Sequence, residues 1–192
     1  MNAAGGNDSS GLAGPWGQGG FGEATDAYIL ISGGTLVIDA GGDGVDSNGD
    51  LTVTGGVTYV NGPTNSGNGP LDYAGNGKIA GGVFIAVGAA GMAMNFGTES
   101  TQGAILCGLN GTAPGGTEVS VADSDGKVLA SFTAAKNFQA ILISAPGMIK
   151  GGTYTVRVGE ASGEFTLDSI VNGGGSGGGP GGGGPGGRPG RS

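Results

Sequence analysis

The sequence predicts an all-β protein: a right-handed parallel β-helix, followed by a small antiparallel β unit and a disordered tail. Gly-Gly pairs recur after 22 and then 26 residues, and an apolar, β-prone run follows each pair. Glycine makes up 50 of the 192 residues, and only 11% of residues are charged. No long amphipathic helical period is present. A period of twenty-odd residues, built of short strands and Gly/Asn/Asp turns, is typical of a solenoid.

Aligning the repeats on their Gly-Gly pairs (31–34, 53–56 and 79–82) produces columns of apolar residues. Such columns are expected inside a coil, because like residues stack at the strand spacing of about 4.8 Å. In the second repeat two registers are possible, because either Thr58 or Tyr59 could point inward. A shift of one residue would turn every buried side chain of that strand to the surface. The predicted inward columns are Ile31 with Val53 and Ile79, Ile38 with Val60 and Ala86, and Val45 with Leu71 and Met92.

The first residue falls into the same register. Met1 aligns with Val45 and Leu71, which are predicted to point inward. We therefore expect the chain to be a C-terminal fragment of a longer solenoid, whose open end would favour self-association because it exposes strand edges. The alternative is that Met1 is the true first residue of the protein and that its side chain fills the open end of the solenoid.

Three segments are predicted. Residues 1–98 form the coils, with a polar, Gly-rich insertion at 5–27 that carries Trp16. Residues 99–172 form the antiparallel unit, with a hairpin at 118–132 whose turn lies at Asp125-Gly126 and further strands at 140–144 and 153–158. Residues 173–192 are Gly- and Pro-rich and are expected to be disordered.

Two other features have simple interpretations. The stretch Ile79–Thr98 is uncharged and long enough to cross a bilayer, but its glycines and its repeat register argue against a membrane span. Cys107 is the only cysteine, so no disulfide can form within the chain, and its apolar surroundings predict a buried, small hydrophobic side chain.

Several long motifs resemble a family of secreted bacterial carbohydrate-binding β-helix proteins. The motifs lie at 42–56, 60–73, 91–93, 122–126 and 136–139, so that the resemblance covers about residues 1 to 158. It implies a fold like that of pectate lyases, calcium-assisted binding of cellulose or polygalacturonate without cleavage, and an extracellular or cell-surface location. It also implies further coils before Met1.

A polar column supports the calcium expectation independently. Asn2, Asp46 and Asp72 align, and two stacked carboxylates about 5 Å apart would repel each other by about 1–3 kcal/mol. A hard cation would offset this repulsion, and ligands that are all oxygen favour Ca²⁺ over zinc or copper. The structural alternative is a ladder of Asx-turns at coil corners. The candidate metal ligands are Asp43, Asp46, Asp72, Asn2 and Asn68.

The resemblance implies binding of a plant cell-wall polysaccharide. We expect this binding to be non-catalytic, because elimination from a uronic acid needs a base and Lys78 is the only basic residue within the predicted coils. We expect neither a nucleic-acid partner nor a membrane span. The alternatives are a structural stalk or adhesin segment, and a polysaccharide lyase. The formal net charge of −8 would repel a polyuronate unless a cation bridges the two. The candidate carbohydrate-binding residues are Trp16, Tyr73, Asp46 and Asp72.

Overall fold

The computed structural model describes residues 1–3 and 26–173, and this part of the chain is all-β, with no helix. Trp16, most of the predicted insertion and nearly all of the predicted tail lie outside the described residues. The strands are β1 (Asn2–Ala3), β2 (Tyr28–Asp39), β3 (Val45–Ser47), β4 (Asp50–Asn61), β5 (Leu71–Tyr73), β6 (Gly77–Gly88), β7 (Ala104–Ala113), β8 (Glu118–Ala122), β9 (Val128–Thr133), β10 (Phe138–Ser144), β11 (Thr153–Val158), β12 (Ala161–Thr166) and β13 (Val171–Asn172).

The strands form three sheets. The three-stranded sheet has the order β1-β3-β5 and is parallel. The six-stranded sheet has the order β13-β7-β10-β6-β4-β2 and is mixed, because β2, β4 and β6 are parallel to one another while β10 runs antiparallel to β6 and β7. The four-stranded sheet, β12-β11-β8-β9, is antiparallel.

The predicted register of the first six strands is confirmed. Ile31 lies opposite Val53, and Val53 lies opposite Ile79. All three side chains are buried, because alternate residues of each strand point toward the space between the six-stranded and three-stranded sheets. The second predicted column is also in register, with Val60 between Ile38 and Ala86. Thr58 is the buried member of the uncertain pair, whereas Tyr59 is half-buried.

The Gly-Gly pairs interrupt these strands with a β-bulge that brings neighbouring backbones close together. Gly56 has a φ of 83°, a conformation that L side chains rarely adopt. A Cβ atom on Gly56 would lie 2.7 Å from the carbonyl carbon of Gly33 in the next strand. Glycine is therefore required here by backbone conformation and by space together.

The third predicted inward column is correct only in part. Val45 lies opposite Leu71, and both are fully buried. Met92, predicted to continue this column, is instead 38% exposed. It lies in a turn after β6, where strand alternation no longer applies, and its carbonyl sits against Gly69. Phe96 and the partly buried Met94 join the core in this region.

In the second half of the chain, the predicted hairpin is confirmed, because β8 and β9 pair antiparallel across residues 123–127. The sequence predicted that residues 99–172 form a small antiparallel unit that caps the C-terminal end of the coils, and the structure shows how the two halves of the chain join. Strand β10 pairs with β6 on one side and with β7 on the other, so the second half continues the sheet of the first. Strand β13 is also parallel, not antiparallel, to β7.

Two apolar cores result from this arrangement. One lies between the six-stranded and three-stranded sheets and is centred on residues such as Val53, Leu71 and Phe84. The other packs the six-stranded sheet against the four-stranded one, and includes Tyr59 stacked on Phe132 with ring centroids 4.8 Å apart. No helix in the described part of the chain is long and apolar enough to cross a membrane, and Ile79–Thr98 begins within strand β6.

Candidate cation site on the three-stranded sheet

The three-stranded sheet places the predicted polar column in one row. Asn2 of β1 lies opposite Asp46 of β3, and Asp46 lies opposite Asp72 of β5. The flanking residues of β3 and β5 are buried, whereas both aspartates are only partly buried. Strand alternation accounts for this, since the residues on either side of each aspartate point into the core.

Hydrogen bonds hold one end of the row. The Asn2 side-chain amide donates from Nδ2 to Oδ2 of Asp46 over 2.5 Å. The backbone N–H of Asp46 donates to the carbonyl of Met1, and the amino terminus of Met1 donates to the carbonyl of Gly44. This end of the row therefore contains the kind of amide–carboxylate ladder that the structural alternative predicted.

The other end of the row carries unfavourable charge interactions. The pKa of the Asp72 carboxyl is raised above its ordinary value, first by partial burial and then by the carboxylates of Asp43 and Asp46. A hydrogen bond from the backbone of Tyr73 acts in the opposite direction without cancelling the shift. Three acidic residues therefore interact, and the fold disfavours the negative charge on Asp72.

Asp43 and Asn68 lie beside the row, in the turns that join the strands. Asp43 accepts a hydrogen bond at Oδ1 from the backbone N–H of Gly69, with a length of 2.7 Å. Asn68 donates from Nδ2 to Oδ1 of Asn65 over 2.8 Å. The turn between β2 and β3 thus meets the turn between β4 and β5, and both candidate ligands already take part in turn hydrogen bonds.

The donor chemistry of the row fits a hard cation in part. Carboxylate and amide oxygens are the ligands that Ca²⁺ prefers, and the repulsion at Asp72 is the kind of cost that a cation offsets. However, within residues 1–3 and 26–173 no three or more His, Cys, Asp or Glu side chains are grouped closely enough to hold a metal ion. A cation here would have to take further oxygen ligands from amides, backbone carbonyls, water or a bound polymer.

The structure does not place Tyr73 where the sequence analysis expected an exposed sugar-binding ring. Tyr73 is 7% exposed, and its ring lies over Gly77 in the apolar core. Its hydroxyl donates to the carbonyl of Asn95 over 2.7 Å. Burial, with a smaller contribution from Asp72, raises the pKa of Tyr73 to about 12. The position follows Asp72 directly, so alternation turns Tyr73 inward when Asp72 points outward.

The sequence analysis did not identify Lys136, which contacts the first half of the chain. Its Nζ forms an ion pair with Asp39 and donates to the carbonyl of Ala40 over 2.7 Å. Nearby, the backbone N–H of Ala135 donates to Oδ1 of Asn61. The contact joins residues 96 positions apart, and no local sequence pattern signals such a pairing.

Cys107 is only partly buried, in contrast to the predicted full burial, and it borders a surface groove of about 550 Å³ between β7 and the strands β11 and β12. Burial of the sulfur still raises the pKa of its thiol to about 11. The thiol is therefore protonated at neutral pH and is a poor nucleophile or metal ligand.

Comparison with known proteins identifies no relative: no family model, no curated protein and no solved structure matches this chain.

Proposed function

We propose that the described residues up to 98 form coils of a right-handed parallel β-helix, and that the protein binds a plant cell-wall polysaccharide such as polygalacturonate or cellulose without cleaving it. The parallel register of β1 to β6 supports the coil assignment. The observation that carries the function is the row of Asp46 and Asp72 on neighbouring strands, with Asp43 close enough to raise the pKa of Asp72. We infer the class of ligand from the long motifs that resemble secreted carbohydrate-binding β-helix proteins.

In this proposal Asp46 and Asp72 hold a calcium ion, and amide oxygens of Asn2 or Asn68, backbone carbonyls or water complete its ligands. Bound there, the ion supplies positive charge that offsets the repulsion among the carboxylates and accepts a carboxylate of the polymer as a further ligand. The formal net charge of −8 makes such a bridge necessary for a polyuronate, because like charges repel at long range. A neutral polymer such as cellulose needs no bridge.

Binding without cleavage is favoured over a lyase because elimination from a uronic acid needs a base beside the cation. Lys78 lies on β6, in the six-stranded sheet, whereas the acidic row is on the three-stranded sheet. Lys136 is engaged by Asp39 and Ala40. A structural stalk or adhesin segment that binds no glycan is the main alternative, and we propose a secreted or surface-attached location in either case.

Affinity electrophoresis through gels that contain polygalacturonate, cellulose derivative or xylan tests the proposal. We expect retardation by at least one of these polymers relative to a gel without polymer. Absence of retardation in all three gels would favour the stalk. Release of unsaturated uronides from polygalacturonate, detected by ultraviolet absorbance, would instead assign the protein as a lyase.

A further inference from the structure

Strand β2 presents a long edge of the six-stranded sheet. It pairs with β4 along one side, and no described residue pairs with its other side. Its outward side chains include Tyr28, Leu30 and Val37, which are 70%, 56% and 64% exposed. An edge of this length carries unpaired N–H and C=O groups and apolar side chains together, and natural proteins normally cover or interrupt such edges.

The glycine pair in β2 leaves room for another backbone to approach this edge. In β4, a Cβ atom on Gly55 would lie 2.7 Å from the carbonyl oxygen of Ser32, and one on Gly56 would meet Gly33 at the same distance. In β6, a Cβ on Gly82 would lie 2.7 Å from the carbonyl carbon of Gly55. Each pair thus permits close approach of the strand before it. A Cβ atom on Gly33 or Gly34 in β2, in contrast, would have no heavy atom within 4 Å.

The sequence of β2 is complementary to itself when read antiparallel about the point between Gly33 and Gly34. Every residue then meets a partner on the same face of the sheet. Two inward pairs are apolar, one outward pair is apolar, and the outermost pair sets a phenol hydroxyl against a carboxylate. The pairs are Ile29 with Ile38, Ile31 with Leu36, Leu30 with Val37, Ser32 with Thr35, and Tyr28 with Asp39.

We propose that two copies of this chain pair through β2, antiparallel, about a twofold axis between Gly33 and Gly34. The two six-stranded sheets become one continuous sheet, and the same surface of each copy meets itself, as a twofold interface requires. The glycines at the axis let the two backbones approach, and the matched faces keep the exposed Leu30 and Val37 side chains in contact. This association needs no polysaccharide, so the dimer can be tested independently of glycan binding.

Sedimentation velocity of the full 192-residue chain, without glycan, tests the dimer. We expect a concentration-dependent species of twice the 18.1 kDa monomer mass. Added salt should favour this species, because each copy carries a formal charge of −8 and salt screens their repulsion. A monomer at every concentration and salt level overturns the proposal.

Two variants and two matched controls locate the interface. Gly33→Ala places a methyl group at the axis where the monomer has open space, and Val37→Lys places a charge in the outward apolar pair. Each should weaken dimerisation by about tenfold or more while the melting temperature of the monomer stays unchanged. Gly41→Ala and Val128→Lys alter similarly open or exposed positions outside β2 and should leave the dimer intact.

The controls also make the negative results decisive. If Gly33→Ala and Val37→Lys dimerise like the parent, the interface lies elsewhere and the proposal is wrong. If the parent is a monomer and Gly33→Ala lowers its melting temperature, the glycine pair is covered from within the same chain, which also overturns it.

Discussion

Val53 shows how one residue of the repeat stabilises the packing of the parallel strands β2, β4 and β6. Its side chain is fully buried between Ile31 and Ile79 of the neighbouring strands, whereas the next residue, Thr54, is exposed. Val53→Asp would place a carboxylate in the core with no partner, and should lower the free energy of unfolding by about 3 kcal/mol or more. Urea denaturation measures this. Thr54→Asp is the control, with an expected change within about 0.5 kcal/mol; equal stability of both variants would mean that the inward column is misassigned.

Cys107 provides a second residue-scale prediction. Because burial raises its thiol pKa to about 11, the thiolate that reacts with iodoacetamide is scarce at neutral pH. The alkylation rate should be low near neutral pH and rise about tenfold per pH unit up to about pH 10. Mass spectrometry of timed reactions follows it. A rate that levels off near pH 8 or 9 would indicate an ordinary, solvated thiol.

For single residues, the apolar columns were predictable because similar residues recur at the same position of each repeat. Alternate residues of a strand point to opposite faces, so that position shows which side chains point inward. The Asn2–Asp46–Asp72 row followed from the same alignment. Tyr73 was misjudged because an aromatic residue beside an acidic one was treated as exposed, although alternation places the two on opposite faces. The prediction that Met92 points inward was wrong, because the alignment assumed a strand where the chain makes a turn.

Among the elements, the bulged strands β2, β4 and β6 depend on their glycine pairs. Gly56→Ala combines a strained φ of 83° with a clash against the backbone of Gly33, and neither can relax by rotating a side chain. We expect a loss of about 2 kcal/mol or more in unfolding free energy, measured by urea denaturation. Gly41→Ala has open space and a negative-φ backbone, so it should be close to neutral. Similar losses for both variants would contradict the close-approach argument.

Strand prediction succeeded where turn residues and alternation coincide, as in β8, β9 and β11. It missed β12, whose sequence Ala-Ser-Gly-Glu-Phe-Thr buries none of its residues fully and therefore carries a weak apolar signal. It also gave no pairing for β7, because apolar content shows that a strand is buried but not which strand it pairs with. The junction between the two halves could not be predicted for that reason.

For the whole molecule, the junction at β10 predicts a single unfolding transition. Strand β10 pairs with β6 along one side and β7 along the other, and its residues contribute to both apolar cores. Separating the two halves would expose Ile141, Leu142 and Ile143, which are fully buried. Differential scanning calorimetry should therefore show one cooperative peak whose calorimetric and van't Hoff enthalpies agree. Two resolved peaks would instead support two units that meet near residue 98.

The net charge of the whole chain gives the proposed function its most direct test, namely retardation in polygalacturonate gels with and without Ca²⁺. With calcium present, we predict retardation that disappears when a chelator is added, because an acidic protein needs a bridge to hold an acidic polymer. Asp46→Asn and Asp72→Asn should each weaken it, while Asp125→Asn, in the exposed hairpin turn, leaves it unchanged. Retardation that survives both the chelator and the two substitutions in the row would contradict the account.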